Sequence, residues 1–134
     1  MTPRKRKEPR WITRTALAAI HAAQIGEHGG RAGVRDEGSI ESALARPQQK
    51  WNYDNAVDLA TLAAAYAFGL AKNHGFIDGN KRAAFMAAYS FLGLNGYDLD
   101  AAEPDVVTTI ERVAAGRLSE AKLAEWLRAG LSEL

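Results

Sequence analysis

Three features of the chain predict an all-α fold, a bundle of about six helices forming one domain over residues 11–134. Apolar residues recur at helical spacing in successive segments, and no convincing alternating strand appears beyond a few residues near 45–51. The segments are bounded by residues that start or stop helices: Thr13 and Ser119 as caps, Pro104 in a first turn, and Gly29-Gly30, Asn95-Gly96 and Gly116 as stops. The composition, 47% hydrophobic with only four prolines among 134 residues, suits a compact core rather than disorder.

The first helix is expected to start after Thr13 and run to about His28, with Leu17, Ile20, Gln24 and Ile25 on one side. His21 and His28 lie in it or at its end, with no carboxylate or second His at ligand spacing, so His21 reads as a packing residue. From Gly30 to Trp51 three glycines and Pro47 predict a long ordered loop, interrupted by a short helical stretch over 39–45. A second long helix, apolar nearly all round and therefore central, is predicted from Ala56 to Lys72. An equally apolar one follows from Asn80 to Leu94. The last two helices follow Pro104, with Val106, Val107, Ile110 and Val113 inward, and Ser119, with Leu123, Trp126 and Leu127 inward.

The totals exclude several classes. Without cysteine there are no disulfides and no thiol catalysis. The apolar segments over 59–71 and 83–94 are too short to span a bilayer, and the start lacks an apolar signal core, so a cytoplasmic protein is expected. Arg4, Lys5, Arg6, Lys7 and Arg10 against Glu8 give the first ten residues +4 of a chain total of +1, leaving −3 for the rest. That tail reads first as a solvated, disordered terminus, with contact to nucleic acid or an acidic partner as the alternative.

The chemistry gathers in His74-Gly-Phe-Ile-Asp-Gly-Asn-Lys-Arg82, at the start of the Asn80 helix. A helix N-terminus leaves backbone N–H groups unpaired and carries partial positive charge, so it attracts anions. Gly79 permits a backbone nest for phosphate oxygens, Asn80 adds a side-chain donor, and Lys81 and Arg82 add charge. Asp78 suits Mg²⁺, a hard cation that takes carboxylate and phosphate oxygens together. His74 is the side chain of the set suited to moving a proton near neutral pH. Phe76 and Ile77 are expected to wedge the loop against the core. The set reads as a nucleotide site with a base, a metal ligand and a phosphate cradle.

This stretch resembles the hallmark of the Fic/Doc family, His-x-Phe-x-Asp/Glu-Gly/Ala-Asn-Gly/Lys-Arg, at every fixed position. Gly33-Val-Arg-Asp-Glu-Gly-Ser-Ile-Glu-Ser-Ala-Leu-Ala-Arg-Pro-Gln48 resembles the death-on-curing branch, and the likeness spans roughly residues 12–128. It implies a Fic/Doc-like bundle with His74 as catalytic base, Asp78 holding Mg²⁺, Gly79, Asn80, Lys81 and Arg82 on the phosphates of ATP, and Phe76 as structural wedge. It also implies a flap beside the active site that aligns the target polypeptide by strand pairing. Carried over here, the flap falls within about 45–51, on Arg46, Pro47, Gln48 and Gln49.

AMP-transferring members continue the motif with a second Arg that grips the γ-phosphate; Phe85 stands at that position. Lys81 stands where those enzymes have Gly, as in death-on-curing toxins, whereas Gly79 is the residue of the AMP-transferring branch. The resemblance therefore implies ATP bound in reverse and γ-phosphate transfer to a Ser or Thr hydroxyl of a translation factor, elongation factor Tu, with AMP transfer as the alternative. No Ser or Thr is followed four residues later by Glu, the start of the family's self-inhibiting motif, so restraint is expected from an antitoxin in a separate chain. A DNA-binding or non-catalytic binding module is the competing class. No helix carries the Arg/Asn/Gln-rich face that reads base edges, so direct nucleic-acid binding is not expected.

Overall fold

A computed structural model describes residues 7–134. The part of the basic-tail expectation that falls on residues 1–6 lies outside the described residues. Six helices run in the order α1 Arg14–His28, α2 Glu37–Tyr53, α3 Leu59–Asn73, α4 Asn80–Leu94, α5 Glu103–Ala114 and α6 Glu120–Ala129. α3 is central and packs against α2, α4, α5 and α6. Ala60, Ala63, Ala64, Ala67 and Ala71 on α3, with Ala83, Ala84, Ala87 and Ala88 on α4, are buried and let the two helices approach closely. Larger side chains fill the space around that pair: Leu17, Leu62, Tyr66, Phe91, Leu92, Leu123 and Leu127 are buried too.

The predicted caps form. Thr13 and Ser119 accept the N–H of Ala16 and Lys122, and Gly29, Gly96 and Gly116 take the positive φ at which helices stop. α3 begins at Leu59 rather than Ala56, because Asp58 stands outside the helix as its cap. Its Oδ1 accepts from Thr61 N (2.9 Å) and Thr61 Oγ1 (2.6 Å).

The long loop predicted from Gly30 to Trp51 is mostly helix. α2 runs through Pro47 to Tyr53 because Ile40, Ala43, Leu44, Pro47 and Trp51 form one buried stripe, whose packing outweighs the lost backbone bond. Gly69 of α3 permits the contact, since a Cβ there would sit 3.2 Å from Ala43 Cβ. Two further differences concern exposure and strands. Val107 is exposed rather than inward. A short antiparallel ribbon, β1 Tyr97–Leu99 with β2 Leu131–Glu133, ties the last residues to the end of α4. Three residues per strand are too few for an alternating pattern to register.

The start of the described chain is anchored rather than loose. Arg10 exchanges two hydrogen bonds with the Asn95 side chain, Trp11 stacks near Phe91, and Ile12 N donates to the buried Tyr66 hydroxyl (2.9 Å). Burial pushes the Tyr66 phenol up to about 12.

Asp58 also receives Arg128 Nε from α6 at 2.7 Å, and mainly this bond draws its carboxyl down to about 2. A folded-state pKa below the unfolded value gives stability present above about pH 3.8 and lost as pH falls through about 2. Both groups are about half exposed, so screening holds the pair's contribution to about 1 kcal/mol. Asp58→Asn should therefore melt below the unsubstituted protein at pH 7, and the gap should close as thermal melts are taken towards pH 2.

Candidate active site

The site is built where α3 ends and α4 begins. His74 terminates α3 in the left-handed region, φ 50° and ψ 46°, and is the one non-glycine with positive φ among the described residues. That conformation is disfavoured for most residues and persists here because the next residues are held from several sides. The carbonyl of buried Gly75 accepts the N–H groups of Arg35 (2.8 Å) and Asp36 (3.0 Å). A Cβ on Gly75 would overlap Ile40 Cγ1 of α2. Gly75→Ala should cost about 1–3 kcal/mol in chemical denaturation and lower any His74-dependent activity.

Phe76, the residue expected as wedge, is 3% exposed, and its ring stacks on His21 with centroids 3.7 Å apart and planes 7° from parallel. Ile77 is not part of the wedge. It is 39% exposed and lies over Gly33, whose carbonyl accepts Ile77 N at 3.0 Å. His21 does more than pack: its Nε2 lies 2.8 Å from the Asp78 carbonyl and so donates to it, which sets the tautomer. Its position inside α1 carries no hint of this contact 57 residues away.

Asn80 has a different first duty from the phosphate donor read from the sequence. Its Oδ1 accepts Phe76 N and its Nδ2 donates to Phe76 O, both at 2.9 Å, so the side chain clasps the loop and one amide hydrogen remains. The other donors free at this helix start are backbone groups. Gly79 caps α4 at φ 77° and supplies no side-chain bond, and the helix ladder starts with Ala83 N to Gly79 O. The N–H groups of Asn80, Lys81 and Arg82 precede that first bond, and two cationic side chains stand beside them. A Cβ on Gly79 would meet Ile25 at 3.2 Å and the His21 ring at 3.6 Å.

Asp78 is oriented by Arg31 N, which donates to its Oδ2 at 2.7 Å, and its Oδ1 makes no hydrogen bond to the described residues. No group of three or more His, Cys, Asp or Glu side chains surrounds a metal position among the described residues. A single aimed carboxylate beside a phosphate cradle fits Mg²⁺, which keeps waters and takes the rest of its shell from phosphate.

His74 is exposed, and its imidazole makes no hydrogen bond to the described residues. A cavity of about 710 Å³ opens from Gly79, Asn80, Lys81 and Arg82 and continues along α4 towards α5.

Residues Arg46, Pro47, Gln48 and Gln49 do not form a flap. They lie within α2, where the backbone is occupied by the helix; Pro47 is buried, and Arg46 pairs with Glu120 of α6, as does Lys50. The extended backbone beside the hallmark lies earlier, where Val34 forms an antiparallel bridge with Phe76. Its signal in the sequence was the cluster Gly29, Gly30 and Gly33, all at positive φ.

A family model described as Fic/DOC family matches residues 11–92, which hold α1 to α4 and the whole hallmark. The chain belongs to the Fic/Doc family. Among Fic/Doc relatives, it is 34% identical over 119 residues to the protein called Protein kinase doc of Escherichia phage P1, covering 89% of this chain and 94% of that one. It is 47% identical over 79 residues to Toxin Doc of Mycolicibacterium smegmatis, covering 58% of this chain and 60% of that one. The mostly helical fold agrees with the Fic/Doc resemblance. None of the described helices is long and apolar enough to cross a membrane.

Proposed function

We infer that this Fic/Doc protein is the toxin of a toxin–antitoxin pair and transfers the γ-phosphate of ATP to a Ser or Thr hydroxyl of a translation factor. Elongation factor Tu is the target that the family resemblance implies, and arrest of translation in the cytoplasm is the consequence. The observation that carries phosphate rather than AMP transfer is Phe85. It lines the cavity directly behind the anion hole, where a γ-phosphate in the AMP-transferring orientation would need a cation. The phage relative called a protein kinase supports the same choice.

His74 takes the proton of the attacking hydroxyl, the oxygen bonds to the γ-phosphorus, and the bond from that phosphorus to the β,γ-bridging oxygen breaks to release ADP. The N–H groups of residues 80–82, with Lys81 and Arg82, hold the transferring group's oxygens and offset its charge. Asp78 would hold Mg²⁺, which neutralises phosphate charge when bound. His21, Phe76 and Asn80 keep the loop in register, so little reorganisation is needed at the moment of transfer. The bridge at Val34 makes the 31–35 segment the better placed element for aligning a target strand. Restraint by an antitoxin in a separate chain belongs to the same reading, and the relative called Toxin Doc fits it.

The Gly at position 79 favours the second reading, AMP transfer. Incubation of a translation lysate with ATP labelled at either the α or the γ position separates the two. Label from the γ position and a gain of one phosphate on one factor by mass spectrometry are expected; a gain of AMP would overturn the reading.

A further inference from the structure

We propose that Lys72, Arg112 and Arg117 form a recognition corner near His74 for an acidic side chain of the target polypeptide. The proposal rests on the reading that a protein hydroxyl accepts the transferred group, and not on which part of ATP moves. Three observations converge on this corner.

The first is an uneven ion cluster. Arg46 and Lys72 both stand over the Phe68 ring, the guanidinium carbon 5.3 Å and the ammonium 5.6 Å from its centroid. Glu120 answers only the Arg46 side. Its carboxylate takes Arg46 and Lys50 and is itself only 14% exposed. Lys72 is exposed and has no ion pair among the described residues. Phe68 and Lys72 are four residues apart on α3, so the ring lies beneath the lysine stem. An aromatic face holds a cation in place without neutralising it. The Lys72 charge is thereby positioned and left over.

The second is the chain that comes up against it. α5 is followed by Gly116 at φ 76°, and a Cβ there would sit 3.5 Å from Lys72 Nζ. Arg117 comes directly after, and its N–H donates to the Arg112 carbonyl at 2.8 Å. Both arginines are exposed, and neither side chain pairs with a carboxylate among the described residues. Glu111, next to Arg112, instead lines the cavity that faces α4, and successive helical residues are turned by about 100° from each other. Three uncompensated cations at one corner repel one another and raise the local potential that draws in anions.

The third is place. Lys72 stands in the last turn of α3, two residues before His74. None of the three cations lines the cavity that opens from the start of α4, so the corner is separate from the proposed phosphate cradle. An anion held there arrives with the acceptor and not with the nucleotide. Carboxylates are the anions that a polypeptide carries, and a lysine and two arginines are donors suited to them.

The test is steady-state transfer of label from ATP to the protein of a translation lysate that becomes labelled, purified and used as substrate. Lys72→Gln should raise KM for that protein about two- to fivefold at low salt, leaving kcat and the KM for ATP nearly unchanged. Lys72→Arg should restore the parental KM, because it keeps the charge. Reversing two exposed charges, Arg112→Glu with Arg117→Glu, should raise KM about tenfold or more. Added KCl should raise the parental KM, and the reversed variant should lose that dependence. Equal KM in the parent and the reversed variant, a loss confined to kcat, or no recovery with Lys72→Arg would overturn the proposal. So would binding of a single-stranded RNA oligonucleotide that the reversed variant loses. Transfer of γ-label indifferent to these charges overturns the corner alone. Transfer of AMP with the expected charge dependence overturns the kinase reading alone, and absence of any transfer to protein overturns both.

Discussion

His74→Ala should lower label transfer from ATP to protein by about 10²–10⁴-fold, the range that a positioned general base supplies. The loss should fall on kcat, because the backbone N–H groups, Lys81 and Arg82 proposed to hold the phosphates are untouched. One control separates chemistry from folding. His74 sits at φ 50°, and Asn tolerates that region better than other non-glycine residues. His74→Asn should therefore melt close to the unsubstituted protein and still transfer nothing measurable above the Ala variant. Single-turnover transfer from γ-labelled ATP, with melts of all three proteins, checks it. An Asn variant that stays active would remove the base from the mechanism.

Phe76→Ala should destabilise the fold by about 3–5 kcal/mol, the cost of emptying a large aromatic site in a packed core. The ring is 3% exposed and stacked on His21, so few neighbours are free to collapse into the space. Activity should fall further than stability alone explains. The Phe76 backbone is what Asn80 clasps and what Val34 pairs with, and the same loop carries His74 and Asp78. Denaturant unfolding followed by assays where the variant remains folded separates the two effects. Leu in place of Phe76 should recover much of the stability but less of the activity, since an aliphatic chain fills volume without stacking on the imidazole. A variant that unfolds at the same denaturant concentration as the parent would show that the wedge is dispensable.

Much of this was readable from local chemistry. The limits of α1, α4, α5 and α6 follow from caps, stops and apolar period, all properties of neighbouring residues. The same is true of the hallmark, because one helix start and the residues before it are contiguous in the chain. The prediction for α2 failed at Pro47: a ring that breaks an exposed helix is retained when a buried stripe on both sides fixes the backbone. α3 was extended backwards past Asp58 because its apolar period continues through the cap.

By itself, the sequence determined that this is a helical Fic/Doc protein whose charges and one imidazole converge on the start of a buried helix. The tertiary structure decided what each group is free to do. Asn80 is turned to the loop, His21 to the Asp78 carbonyl, Arg46 to Glu120, and Gln24 to an open cavity. These assignments depend on contacts between residues far apart in the chain. Spacing along one helix establishes which side chains share a face, but only packing determines what that face meets.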